Sequence, residues 1–172
     1  RLVRLDNDQS PLDIFGGGGV NDPIGGIVAV QGGSTVTSVA QQSLIGVEGP
    51  GTLSVLEASE ASVEGFRLGA ADANTRGFIY VLGAGSTFNS DGAVQINHGN
   101  FHVRNGAAAE LTSAQFTAGM EGNVNIVVTG TGQGDDGFSD AQLDVRTEGA
   151  GTPQIYGNGS NGTNIRVTDG GR

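Results

Sequence analysis

A four-residue phrase ending in valine recurs five times between residues 26 and 128. The copies are Ile27–Val30, Thr52–Val55, Phe78–Val81, Asn100–Val103 and Asn125–Val128. Their closing valines are separated by 25, 26, 22 and 25 residues. A period of this length, carried by a short apolar strand, is typical of a solenoid in which each turn of chain stacks on the turn before it.

The residues within each phrase alternate between apolar and polar, as in Leu53-Ser54-Val55. Because successive side chains of a strand point to opposite faces, this alternation predicts strands with one buried and one solvated face. Helices are excluded by glycine, which makes up 32 of the 172 residues and interrupts every helical window. Each glycine inside a helix costs about 1 kcal/mol.

Two further columns of apolar residues follow the same period. The second column consists of Ile45, Leu68, Ile96, Ala118, Val145 and Val167, and the third of Val36, Val63, Phe88, Leu111 and Phe138. Three strands per turn predict an all-β fold, a right-handed parallel β-helix (β-solenoid) of about six turns. In this fold the five closing valines form one internal ladder of stacked side chains.

The chain is interpreted as one domain, a single β-solenoid segment over residues 1–172. Residues 1–24 fit the period poorly, because the glycine run Gly16–Gly19 follows Leu12–Phe15 directly. We therefore expect residues 1–24 to form an irregular first turn or a cap. The last copy of the repeat, Ile165–Val167, stands almost at the C-terminus, so we expect the chain to be a fragment of a longer repeat protein.

The charge of the chain excludes several classes of function. The chain contains eighteen acidic residues, eight arginines and no lysine, which gives a net charge of −10. This charge argues against nucleic acid as a partner. The absence of cysteine excludes a disulfide framework, a thiolate metal site and a cysteine nucleophile. No run approaches the roughly 18 apolar residues of a membrane-spanning helix, so the chain is predicted not to span a membrane.

One glycine-rich phrase links the chain to a known family. Val81–Phe88 reads V-L-G-A-G-S-T-F, Val30–Val36 is a shortened copy, and Leu44–Val55 supplies a second half-repeat. Over about residues 26–145 the chain resembles the glycine-rich repeats of autotransporter passenger domains and of PEP-CTERM-associated bacterial surface proteins. The resemblance implies a secreted or cell-surface β-helix that acts as a stalk, adhesin or fibre segment, and it brings no catalytic residues.

From this resemblance we expect an extracellular or bacterial cell-surface protein with a structural or adhesive role and no catalysis of its own. The expected partners are further copies, associating end to end or side by side, and a glycan or a host or cell surface. The alternative is a polysaccharide-binding or polysaccharide-degrading β-helix, of the lyase, hydrolase or phage tail-fibre type. Such an enzyme needs acidic and basic side chains that converge on one face, whereas the arginines are scattered singly along the chain.

The densest acidic cluster contains Asp135, Asp136 and Asp140, with Asp144 close behind. Oxygen-rich loops suit Ca²⁺, which takes six to eight oxygen ligands, so these carboxylates are the candidate ligands for a calcium ion. Their spacing matches neither the EF-hand loop nor the calcium-binding nonapeptide repeat. A solvated acidic corner is the other interpretation, and no other cofactor is expected.

The two histidines and the aromatic residues complete the candidates. His98 falls in a turn, and His102 is predicted to point outward beside Tyr80 of the neighbouring turn, as a cross-strand contact rather than a metal site. Most aromatic residues fall on inward columns, so no platform for stacking a sugar is evident; Tyr80 and Tyr156 are the exceptions. Asn158 and Asn161 begin glycosylation sequons that are interpreted as turn residues.

Overall fold

The structure, a computed structural model, describes residues 12–14, 26–70, 75–113, 115–119, 122–129, 141–146, 154–155 and 163–168. Within these ranges the secondary structure is entirely β, and no helix is present that could span a membrane. The strands are β1 (Gly26–Val30), β2 (Thr35–Ile45), β3 (Gly51–Leu56), β4 (Glu60–Leu68), β5 (Gly77–Leu82), β6 (Thr87–Ser90), β7 (Val94–Ile96), β8 (Gly99–Arg104), β9 (Ala108–Thr112), β10 (Phe116–Ala118), β11 (Val124–Thr129), β12 (Gln142–Arg146), β13 (Gln154–Ile155) and β14 (Thr163–Thr168).

The strands form three parallel walls. The first wall has the order β1-β3-β5-β8-β11-β14. The long strands β2 and β4 each contribute to both of the other walls. Their first halves pair in sequence with β6, β9 and β12 to form the second wall, and their second halves pair in sequence with β7, β10 and β13 to form the third wall. All of these pairings are parallel, which confirms the predicted β-solenoid with three strands per turn.

The number of complete turns is about four, slightly fewer than the six predicted. The turns that begin with β1, β3, β5 and β8 have strands in all three walls and are described almost throughout, whereas in the turn that begins with β11 the second wall has β12 but the third wall has only the two residues of β13. The later strands β11 to β14 are separated by residues outside the described ranges. The prediction counted every strand of one column as a full turn. The last strand of the first wall, β14, is followed by no described strand of the second or third wall.

The predicted internal ladder of valines is confirmed. Val30, Val55, Val81, Val103 and Val128 are paired in register from β1 to β11, and Val167 of β14 continues the ladder. The first five are at most 2% exposed. Burial of a branched aliphatic side chain contributes about 1.5–3 kcal/mol, so this ladder is a principal part of the core.

The second predicted column was wrong in its last two members. Val145 lies in β12 and pairs with Leu111 of the second wall, while Val167 lies in β14 of the first wall. The fifth member of the second column is instead Ile155 of β13, which pairs with Ala118. The prediction assigned residues to a column by their spacing along the chain. That spacing fails here because twelve residues separate β11 from β12, whereas four separate β5 from β6.

The third predicted column is in fact two ladders. One ladder runs through Val36, Ala61, Phe88, Ala109 and Leu143, and the other through Ser38, Val63, Ser90, Leu111 and Val145. Large and small side chains alternate along the first ladder, and along the second as far as Leu111. A ring as large as that of Phe88 needs a small residue above and below it. Phe138, the last predicted member, lies outside the described residues.

Three phenylalanines, one from each wall, meet in the interior. Phe101 comes from the first wall, Phe88 from the second and Phe66 from the third, and all three are fully buried. The ring of Phe88 meets those of Phe66 and Phe101 edge to face, with centroids 5.5 and 5.7 Å away, and Phe66 stacks on Phe101 at 6.1 Å. These separations are those of favourable aromatic pairs, so the three rings join all three walls.

The corners between the first and second walls contain residues with positive φ. Gly32 and Gly33 adopt φ of 68° and 70° in the first such corner, and Glu57 and Ala58 adopt 56° and 58° in the next. A left-handed conformation costs a residue with a Cβ atom about 1–2 kcal/mol. The corner geometry is therefore maintained even where glycine is missing.

Serines at these same corners connect successive turns. Ser86 Oγ donates to the carbonyl of Leu82 at 2.8 Å and accepts from the backbone N–H of Ala58 in the preceding turn at 3.2 Å. Ser59 Oγ accepts in the same way from the N–H of Ser34 at 3.1 Å. Both hydroxyls belong to buried residues. The serine of the glycine-rich phrase thus satisfies a backbone donor of the neighbouring turn.

Residues 12–14 begin the described part of the chain and pair with the third wall. The N–H of Ile14 donates to the carbonyl of Leu44 at 2.7 Å, and the carbonyl of Ile14 accepts from Gly46 at 2.8 Å. The Ile14 side chain is 2% exposed. The remaining residues of the expected cap, like Asn158, Asn161 and Tyr156, lie outside the described residues.

Candidate functional site

The predicted calcium ligands fall mostly outside the described residues. Asp135, Asp136 and Asp140 are not described, so the calcium site stays a prediction. Asp144 lies on the outer face of the second wall, where its Oδ2 accepts hydrogen bonds from Nε and Nη2 of Arg146 at 2.9 and 2.6 Å. This carboxylate is engaged by a cation of its own chain, and among the described residues no group of three or more histidines and carboxylates could hold a metal.

Arg146 also neutralises a second carboxylate of the second wall. Its Nη1 is 2.9 Å from Oε1 of Glu110, which is in register with Asp144 on the neighbouring strand. The hydrogen bonds that Arg146 donates to Asp144, and the charges of Asp144 and Glu110, raise the pKa of Arg146. Glu60, on the same wall, accepts from Ser62 at 3.2 Å and from Asn89 at 3.3 Å. The outer face of the second wall is therefore acidic, with its carboxylates hydrogen-bonded.

The two histidines have different environments. His98, in the turn between β7 and β8, is 7% exposed, and a Cβ atom at Gly122 would lie 2.8 Å from its Cγ. His102 lies on the outer face of β8 and is in register with Tyr80 of β5. The rings of Tyr80 and His102 meet edge to face with centroids 5.3 Å apart. The predicted outward contact between Tyr80 and His102 is confirmed.

A second aromatic ring on this face was missed by the sequence analysis. Phe78 precedes Tyr80 by two residues on β5, and the two rings are parallel within 8°, with centroids 6.3 Å apart. Both residues are partly exposed. The alternation of the strand was sufficient to place Phe78 outward, because Ile79 and Val81 point inward and residues 78 and 80 must then point to the opposite face. Phe78 is therefore an outward aromatic residue beside Tyr80, in addition to the exceptions that the sequence analysis named.

The charge state of His102 follows from its neighbours. Partial burial, together with the positive charge of Arg104, lowers its pKa to about 4. The imidazole is therefore neutral at pH 7 and presents one donor and one acceptor nitrogen. At neutral pH the charged residue of this part of β8 is therefore Arg104, and His102 is neutral.

A row of asparagines runs alongside the aromatic residues. Asn100, Asn125 and Asn164 are in register on β8, β11 and β14. The side-chain amide of Asn125 donates to Oδ1 of Asn100 at 3.0 Å, and that of Asn164 donates to Oδ1 of Asn125 at 3.4 Å. Each amide has two N–H groups and two acceptor lone pairs, so the row retains hydrogen-bonding capacity toward a ligand.

The outer face of the first wall differs in charge from that of the acidic second wall. Its described outward positions contain two arginines, Arg104 and Arg166, and no aspartate or glutamate. The chain as a whole has a net charge of −10. We call this surface, with Phe78, Tyr80, His102, the asparagine row and the two arginines, the aromatic–amide face.

Comparison of the chain with protein-family models, with curated protein sequences and with solved structures found no match. The function of the aromatic–amide face is therefore argued from its own residues. Side chains of this kind (aromatic rings, amides, a hydroxyl and guanidinium groups) are suited to binding a polar ligand.

Proposed function

We propose that this chain is an extracellular or cell-surface β-solenoid segment with a structural or adhesive role and no catalysis of its own. The observation that supports the proposal is the register of the valine ladder, which continues without a shift from Val30 to Val167 over six strands. Each turn contacts only its neighbours, and such stacking produces a stiff, extendable rod. A rod is the shape required of a stalk or fibre segment.

The corner serines support the same role. Ser59 links the second turn to the first, and Ser86 links the third turn to the second, through hydrogen bonds of buried hydroxyls. The glycine-rich phrase on which the family resemblance depends therefore serves the stacking of turns. A repeat whose most recognisable residues serve stacking is typical of a protein selected for its shape.

Stiffness can be measured on the recombinant chain, which contains no cysteine. Ala29 and Val127 point outward in the same row of the first wall, four strands apart. With a strand spacing of about 4.8 Å, their separation is about 19 Å. Spin labels on cysteines at these two positions should give one narrow distance distribution in pulsed electron paramagnetic resonance, whereas a broad distribution would contradict a stalk.

The location can be tested on intact cells of the organism that makes the protein. An antibody against the recombinant chain should label unpermeabilised cells, and external protease should remove the label. A cytoplasmic protein stained in parallel serves as the control. Labelling that appears only after permeabilisation would refute the extracellular role.

A second candidate function is polysaccharide binding, which the parallel rings of Phe78 and Tyr80 favour. Polysaccharide degradation would instead require carboxylates, and the pair in register on the second wall is Glu110 and Asp144. We expect no release of reducing ends from a panel of polysaccharides. Release that disappears in both Glu110→Gln and Asp144→Asn would show that the chain is an enzyme.

A further inference from the structure

We propose that the aromatic–amide face of the first wall binds an acidic glycan, with sugar rings on Phe78 and Tyr80 and sugar carboxylates on Arg104 and Arg166. The proposal goes beyond a structural role, because it assigns a ligand class to one wall of the rod. It does not depend on where the protein is located.

The aromatic residues provide the first part of the argument. The interior already contains the three buried rings of Phe66, Phe88 and Phe101, so Phe78 and Tyr80 are not needed to complete the core. Their parallel rings are partly exposed, and the edge of the His102 ring packs against Tyr80. Aromatic faces carry partial negative charge, which attracts the polarised C–H groups on one face of a pyranose ring. Rings that are already positioned lose little freedom on binding.

The arginines select an acidic ligand. Arg104 follows the aromatic strand by one turn and is in register with Leu82. Neither Arg104 nor Arg166 forms an ion pair with a described residue. Guanidinium groups bind carboxylates through paired, charge-assisted hydrogen bonds, so a uronic acid would fill this unused capacity.

The remaining polar side chains suit sugar hydroxyls. Asn100 lies in register with Phe78 on one side, and Thr52 lies in register with it on the other. The row that begins at Asn100 continues through Asn125 and Asn164. The strands repeat every 4.8 Å or so, close to the length of one pyranose residue. Consecutive sugars along the rod axis would therefore meet consecutive strands.

Charge complementarity excludes such a ligand from the second wall. The outer face of the second wall contains Glu60, Glu110 and Asp144, which repel an anionic chain. A second copy of the protein is a weaker match for the arginines, because Arg146 already neutralises two of those carboxylates. The acidic glycan is the occupant that both the charges and the rings favour.

The test measures binding of polygalacturonate and hyaluronan oligosaccharides to the recombinant chain by titration calorimetry, with dextran oligosaccharides as the neutral comparison. We expect binding of at least one acidic glycan, weakened by salt, and none of dextran. Arg104→Gln should reduce the affinity about tenfold or more, since a hydrogen bond to a charged group is lost. Arg67→Gln, the same change on the third wall, should leave the affinity unchanged.

A second pair of variants keeps the test independent of folding defects. Asn125→Asp places a carboxylate on the aromatic–amide face and removes one surface hydrogen bond, the one donated to Asn100; it should abolish binding while keeping the far-ultraviolet circular dichroism of the parent. Gln95→Glu makes the equivalent change on the third wall, where it should have little effect. Phe78→Ala should also lose affinity while keeping the far-ultraviolet circular dichroism of the parent.

Four results would overturn the proposal. These are no binding of either acidic glycan, equal binding of dextran, equal losses in the paired variants of the two walls, or self-association in sedimentation experiments that Arg104→Gln abolishes. The last result would identify a second copy as the occupant of this face.

Discussion

Replacing Phe88 with alanine is expected to lower the free energy of unfolding by about 4–5 kcal/mol, the upper part of the range for a buried phenylalanine. The ring is fully buried and meets two other rings edge to face. Its ladder neighbours are Ala61 and Ala109. Their methyl groups are too small to fill the vacated volume, so the cavity persists and its cost is added to the lost transfer energy.

The comparison that isolates this effect is Phe78→Ala, the same substitution on the outer side of the same solenoid. Phe78 is partly exposed and packs mainly on Tyr80, so its loss should cost about 1 kcal/mol. Urea denaturation followed by far-ultraviolet circular dichroism measures both. With a slope of about 2 kcal/mol per molar urea, the midpoint of Phe88→Ala should fall by about 2 M. A loss no larger than that of Phe78→Ala would refute the alternation of large and small residues as the basis of the packing.

Three further substitutions follow from the backbone and the electrostatics. Gly77→Ala should destabilise the protein by about 2 kcal/mol or more, because the added Cβ would collide with the carbonyl of Ile45; a urea midpoint equal to that of the parent would contradict this. Ala58→Gly should raise the stability by about 1 kcal/mol, since φ is 58° there, whereas Ala84→Gly in the next such corner should give no gain. His102 has a pKa of about 4 in the folded chain against 6.5 when unfolded, so the unfolded state binds the proton first as the pH falls. Stability should therefore decline from pH 6.5 to pH 4 by about 1–2 kcal/mol, since solvent screens the half-exposed ring, and His102→Gln should flatten that part of the pH profile.

The parts of the fold that depend on local pattern were predictable. Alternation within each phrase identified the strands and the buried valines, because side-chain direction in a strand has a period of two. The same rule placed Tyr80 and His102 on one outer face, where they are in contact. These predictions needed no knowledge of the corners.

The predictions that failed depended on the lengths of the corners. Val145 and Val167 were assigned to one column by spacing, but the longer corner before β12 moves both into other walls. The asparagine row was missed for a related reason. Hydrogen bonds between Asn100, Asn125 and Asn164 require exact register across segments of 25 and 39 residues, and corner conformations set that register. Sequence spacing alone does not give them.

The three phenylalanine rings have a consequence for how the rod comes apart. They come from three consecutive turns, those of β4, β6 and β8, so neither the middle turns nor the three walls can separate without exposing an aromatic ring. At the described ends, by contrast, inward side chains are incompletely covered: Val28 of β1 is partly exposed, and Ile165 and Val167 of β14 are 48% and 51% exposed. Amide hydrogen exchange should thus be fastest in β1 and β14 and slowest in β5 and β8, as in a cooperative unit whose ends fray first. Force applied along the axis would then be resisted by the middle turns, while the end strands yield.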